Sequence, residues 1–180
     1  STELGGRETS PGGRGALPTG DVRFRATMRA MADAVLHLDP RRHRGPVDPR
    51  IFGGFLEHLG RAIYGGVLDG EGAVREDVKD ALREIAPTVV RYPGGNYVSA
   101  HDWRDGVGPD RPRRPDFAWR SVEPNTFGTD EFIPWCRSIG AEPMLAVNLG
   151  TGTARDAAEY LEYVNLPRGT SIADRRPVDA

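Results

Sequence analysis

The segment Val89-Val90-Arg91-Tyr92-Pro93-Gly94-Gly95-Asn96-Tyr97 constrains the fold more than any other part of the chain. An apolar β-branched run suits a strand buried on both faces, as in a parallel sheet. Pro93 ends the ladder because it has no N–H to donate. The paired glycines allow backbone angles closed to other residues, or the close approach of another group. Asn96 then stands at the strand mouth with donors and an acceptor suited to sugar hydroxyls. A strand followed by an ordinary turn is the alternative, since Gly and Asn are common turn residues.

The rest of the 180 residues extends this pattern. Residues 1–33 are rich in Gly, Pro, Ser and Arg and read as a disordered extension, with Met28 or Met31 a candidate start. Residues 34–49 read as a strand, Ala34–Leu38, and a Pro-rich linker. An apolar stretch from Arg50 turns abruptly acidic at Glu57-His58. Val78, Ala81, Leu82 and Ile85 share one face of a predicted helix over Asp77–Ile85. A long Pro-, Arg- and Asp-rich loop follows from Gly94 to about Gly128. A helix over Thr129–Ile139 comes next, with Thr129 as N-cap and Gly140 as its stop. A buried strand over Glu142–Asn148 and a helix over Ala154–Val164 complete the pattern. Strands alternating with helices predict an α/β fold with parallel strands and crossover helices. A full (β/α)8 TIM barrel takes roughly 250 residues. Residues 50–180 therefore read as the first part of an incomplete barrel.

Composition excludes several functions. No apolar run approaches the roughly 20 residues of a membrane span. The formal charge is -2 and the arginines are scattered, so neither nucleic acid nor a membrane surface is an expected partner. The one cysteine, Cys136, cannot form an internal disulfide and reads as a small buried hydrophobe, compatible with a cytoplasmic setting. His37, His43, His58 and His101 show no metal spacing, and no cofactor is expected.

Polar residues end three of the expected strands: Glu57, Asn96 and Asn148. In a β/α barrel such ends converge on one rim, which makes these three the candidate substrate-binding residues. Glu57 is the one carboxylate among them. Retaining glycoside hydrolysis needs two carboxylates, about 5–5.5 Å apart. Glu57 is therefore read as an acceptor for a substrate hydroxyl, with a solvated residue or an Arg61 partner as the alternative. No catalytic residue is assigned within the chain. His58 reads as a structural, hydrogen-bonded histidine. Trp103 and Trp119 read equally as sugar platforms or as packing residues. Gly150-Thr151-Gly152-Thr153-Ala154-Arg155 mimics a dinucleotide-binding turn, but Arg155 stands where a third glycine belongs.

Longer motifs carry a family likeness. Arg50 to Gly66 (RIFGGFLEHLGRAIYGG) and Val90 to Ser99 (VRYPGGNYVS) resemble the first- and second-strand motifs of the α-L-arabinofuranosidases of glycoside hydrolase family 51. Asp102 to Pro109, Arg111 to Pro115, Ala118 to Gly128 and Ala141 to Gly152 continue the resemblance in order. It implies an N-terminal barrel and a C-terminal β-sandwich, which the strand over Ala34–Leu38 would join. It implies a retaining, exo-acting, metal-free enzyme of the cytoplasm, homo-oligomeric, acting on arabinan, arabinoxylan or arabino-oligosaccharides. Glu57 and Asn96 match its arabinose-binding positions, with Asn148 deeper at the same mouth. The acid/base and nucleophile glutamates of the family lie beyond this sequence, so the 180 residues alone are expected to be inactive. The chain is also shorter than the family pattern between Leu68 and Val74. A non-catalytic sugar-binding or scaffold protein on a partial barrel is the alternative function.

Overall fold

Val89–Tyr92 forms the middle strand of a parallel sheet in the computed structural model, which describes residues 35, 37, 39–117 and 119–177. The chain divides between Pro46 and Val47, and everything below concerns the unit after that break. The expected extension over 1–33 lies outside the described residues, as do Ala34, Leu36 and Leu38 of the expected first strand.

Strand β1 (Gly54–Phe55) pairs with β2 (Val89–Tyr92) in the register Gly54↔Val90 and Phe55↔Arg91. Strand β5 (Glu142–Leu145) pairs along the other edge of β2, from Val89↔Glu142 to Tyr92↔Leu145. Both pairings are parallel, so the chain must cross over between strands. Helix α2 (Glu76–Ile85) makes the first crossover and α3 (Thr129–Ser138) the second. A one-turn helix α1 (Gly60–Ile63), not foreseen from the sequence, precedes α2. Helix α4 (Ala154–Asn165) follows β5.

Alternation along β2 decides which face is packed. Val90 and Tyr92 turn into a core with Ile63, Phe132, Trp135 and Cys136. Arg91 points the other way, its guanidinium 5.0 Å from the ring centroid of Phe55. Tyr92 and Phe132 stack at 4.5 Å and are 1% and 0% exposed, so each contributes about 1.5–3 kcal/mol of burial. The expected apolar face of α2 is covered only in part: Leu82 packs on this core, while Ile85 stays 73% exposed.

The stretch read as a long loop is more ordered than the sequence suggests. It holds 3-10 turns at Tyr97–Ala100 and Trp103–Gly106 and an antiparallel hairpin. The hairpin joins β3 (Arg114–Asp116) to β4 (Ser121–Glu123). Ion pairs tether it: Arg111 forks onto Glu131 at 2.9 and 2.7 Å, and Arg114 onto Asp105 at 2.7 and 3.0 Å. Trp103, Val107, Tyr160 and Tyr163 form a second core that pins the segment to α4.

Helix ends follow local chemistry. Thr153 and Asp156 cap α4 reciprocally, Thr153 Oγ1 accepting the Asp156 N–H at 3.2 Å and Asp156 the Thr153 N–H at 2.8 Å. At α3 the expected N-cap, Thr129, is displaced by one residue. Gly128 holds that position, its N–H donated to Glu131 at 2.7 Å, because the Thr129 hydroxyl bonds Tyr160 at 2.7 Å instead.

Candidate functional site

Glu57 lies just past β1 and turns back toward the break after β2. Its carboxylate accepts the Gly95 N–H at 2.8 Å and the Tyr97 N–H at 2.7 Å. The two donors flank Asn96, so Glu57 grips the turn that presents the Asn96 amide. Backbone N–H groups hold this carboxylate, rather than Arg61. Gly94 makes the contact possible: a Cβ there would stand 2.6 Å from Glu57 Cδ, and its φ of +138 disfavours other residues.

Asn96 is exposed and helps to line a cavity of about 210 Å³ with Tyr97, His101, Trp119, Glu123 and Asn125. Asn148 lines a neighbouring cavity of about 220 Å³, and Ala100, His101 and Asp102 form the wall between the two. The structure thus ties Glu57 to the turn that bears Asn96, outside the lining of either cavity, and sets Asn148 one cavity away.

The Asn148 amide is fully engaged, by its own loop and by the His101 carbonyl. Oδ1 accepts the N–H groups of Gly150, Thr151 and Gly152 at 2.9, 3.0 and 3.2 Å. Nδ2 donates to the His101 carbonyl at 3.0 Å and to Thr151 Oγ1 at 2.9 Å. Asn148→Ala is expected to cost about 2 kcal/mol. Hydrogen exchange checks it: the amides of residues 150–152 should lose protection before the sheet does.

This loop also accounts for its two glycines without a nucleotide. A Cβ on Gly150 would meet the Ser99 carbonyl oxygen at 2.6 Å, and one on Gly152 the Asn148 carbonyl oxygen at 2.5 Å. Close backbone packing demands glycine at both positions.

The tryptophans separate into two roles. Trp103 is 7% exposed, stacks on Tyr160 at 5.0 Å and donates Nε1 to the Asp156 carbonyl at 3.3 Å. It packs. Trp119 is 48% exposed and faces the cavity beside Asn96. Trp103 also borders the Asn148 cavity, but with far less exposed surface.

Beneath Glu57 and Asn96 lies a polar cluster that the sequence did not reveal. His58 is 1% exposed, its Nδ1 2.8 Å from the Tyr92 hydroxyl and its Nε2 3.0 Å from Glu123 Oε2. Glu123, 8% exposed, also accepts from the Tyr64 hydroxyl and, at 2.8 Å, from the Asn125 N–H. Burial alone would raise the Glu123 carboxyl; the His58, Tyr64 and Asn125 donors outweigh it and hold the group below the usual glutamate range. Burial, then the Glu123 hydrogen bond and charge, keep the Tyr64 hydroxyl above the usual tyrosine range. His101 is pushed down to about 4, first by burial and then by His58. The thiol of Cys136, 0% exposed, is pushed up to about 12 by burial, which leaves it inert. Among the described residues no cluster of His, Cys, Asp and Glu is placed to hold a metal ion.

The chain is similar to known proteins. The family model described as the alpha-L-arabinofuranosidase 1 domain matches residues 81–178. The intracellular exo-alpha-(1->5)-L-arabinofuranosidase of Streptomyces lividans is 52% identical over 157 residues, 81% of this chain and 24% of that protein. Alpha-L-arabinofuranosidase C of Emericella nidulans is 45% identical over 149 residues, 78% of this chain and 30% of that protein. The GH51 arabinofuranosidase structure from Xanthomonas axonopodis pv. citri superposes with a TM-score of 0.72 at 37% identity, over 76% of this chain and 30% of that one. A family 51 alpha-L-arabinofuranosidase from Bifidobacterium longum gives 0.68 at 49% identity, over 72% and 27%. The chain spans 24% to 30% of the length of these relatives. The chain belongs to the α-L-arabinofuranosidases of glycoside hydrolase family 51, matching the N-terminal portion of its members.

Proposed function

We propose that the protein carrying this chain removes terminal α-L-arabinofuranosyl units from arabinan, arabinoxylan or arabino-oligosaccharides, and that the chain contributes the sugar-recognising corner of the site. The observation that carries this reading is the Glu57 carboxylate, fixed by the N–H groups on either side of Asn96. Each carboxylate oxygen keeps a lone pair for a furanose hydroxyl, and the Asn96 amide beside it donates and accepts. We read β1, β2 and β5 as the first three strands of a (β/α)8 barrel, whose strand ends form the site. Asn148 supports this corner by holding the loop after β5.

Retaining hydrolysis requires a general acid and a nucleophile, both carboxyl groups. Glu57 grips a backbone turn and Glu123 is locked to His58 and Tyr64, so neither is free for those roles. As the family resemblance implies, the catalytic glutamates are assigned outside these 180 residues. A metal-free, homo-oligomeric enzyme of the cytoplasm completes the reading. The word intracellular in the names of the Streptomyces lividans and Acetivibrio thermocellus relatives supports that location.

Two measurements test this. Titration calorimetry with L-arabinose should show binding that Glu57→Gln weakens at least about tenfold, since hydrogen bonds to a charged group are worth about 1.5–3 kcal/mol. An aryl α-L-arabinofuranoside should not be turned over by the 180-residue chain. Absence of heat at high arabinose concentration would defeat the recognition role, and robust turnover would show the catalytic pair to be misplaced.

A further inference from the structure

His58 follows Glu57 directly, and its hydrogen bonds fix how many protons its ring carries. The Tyr92 hydroxyl donates to the Phe127 carbonyl at 3.1 Å. Phe127 is 1% exposed, and an unmet carbonyl at that depth is costly. The single Tyr92 proton is therefore committed to Phe127. The Tyr92 oxygen, 2.8 Å from His58 Nδ1, must then receive a proton from the ring. Glu123 is a carboxylate and can only accept, so Nε2 at 3.0 Å must donate as well.

We propose that His58 is a positioning residue with protons on both ring nitrogens, clamping the Glu57 end of β1 to β2 through Tyr92 and to the hairpin through Glu123. The proposal rests on the sugar-recognition reading above. One ring connects every part of that corner. Its backbone N–H donates to the Pro93 carbonyl at 2.6 Å, tying β1 to the break after β2. The Tyr97 ring stacks on it at 4.4 Å, and the Tyr97 N–H is one of the two donors holding Glu57. Glu123 ends β4, the strand that returns from Trp119.

The groups facing this ring are Tyr64, Tyr92, Tyr97, His101, Phe127 and Glu123. Glu123 is the carboxylate among them and supplies the countercharge. His101, 6.3 Å away, is held well below the usual histidine range chiefly by burial, so a second cation does not compete for Glu123. A histidine serving only as core filling would donate from one nitrogen and accept at the other.

A long-range proton–nitrogen NMR spectrum of ring-labelled protein tests the proton count, with His58→Gln assigning the signals. In the unsubstituted chain at neutral pH both His58 nitrogens should bear protons. Glu123→Gln should leave one of them bare and weaken L-arabinose binding about tenfold. Tyr64→Phe removes a different donor to Glu123; both ring protons should remain and binding should fall about threefold. It serves as the second variant should Glu123→Gln not fold. A singly protonated ring in the unsubstituted chain overturns the proposal, as does unchanged arabinose affinity in either folded variant. Failure of the unsubstituted chain to bind arabinose removes the recognition reading and the positioning role with it. The proton count is read without sugar, so that failure is distinct from a failed clamp.

Discussion

Glu123→Ala is expected to cost about 3–5 kcal/mol of folding free energy, because it strips the partner from a buried charged group. Three donors lose their acceptor together: His58 Nε2, the Tyr64 hydroxyl and the Asn125 N–H. Urea unfolding followed by circular dichroism measures the loss at neutral pH. The pH dependence identifies its source. Glu123 is held below the usual glutamate range in the folded chain. Its contribution is therefore complete above the unfolded value of about 4.3 and disappears as pH falls through the lower folded value. The unsubstituted chain should lose stability across that acid window, and Glu123→Ala should lose less. Exposed carboxylates with depressed values, such as Asp48 and Asp77, give both chains a common acid slope that the difference removes. Parallel curves would show that the Glu123 charge does not matter.

Much of the scaffold was legible because it depends on near neighbours. The Val89–Tyr92 run with Pro93 behind it marked the middle strand, and the spacing of Val78, Leu82 and Ile85 marked α2. The hairpin was not legible. β3 reads Arg-Pro-Asp, which no strand pattern favours, and it stands because a two-stranded ribbon leaves an edge where Pro115 needs no partner. Its tethers Arg111–Glu131 and Arg114–Asp105 depend on a fold already formed. The site divides in the same way. Abrupt polarity at strand ends is what proposes Glu57 and Asn96. Asn148 carries the same signal, and its amide is taken up by its own loop and by the His101 carbonyl. The His58–Glu123 pair joins residues 65 positions apart in the chain, and no local period reports such a contact. His58 is the hydrogen-bonded histidine expected, but its partners Tyr92 and Glu123 lie far along the chain.

Gly94→Ala is the substitution expected to damage recognition most with the fewest atoms. The added methyl would stand 2.6 Å from Glu57 Cδ, 2.7 Å from Oε1 and 2.8 Å from Oε2. A flexible side chain usually yields to such a clash, but this carboxylate cannot move without releasing the Gly95 and Tyr97 N–H groups. Overpacking and the positive φ together should cost about 3 kcal/mol. Arabinose affinity should fall by more than about tenfold, because the turn bearing Asn96 loses its anchor. Gly108→Ala is the control. Its φ is also positive, at +69, but its Cβ would meet nothing within 4 Å, so only about 1 kcal/mol of backbone cost is expected. The double variant Gly94→Ala, Glu57→Ala separates the contact from the backbone. If the carboxylate is the obstacle, truncating it relieves the strain, and the two losses should be non-additive by at least about 1 kcal/mol. Sugar binding should stay lost, since Glu57 is then absent. Additive losses in stability would mean that the Gly94 requirement is conformational only, and that Glu57 does not occupy the space above it.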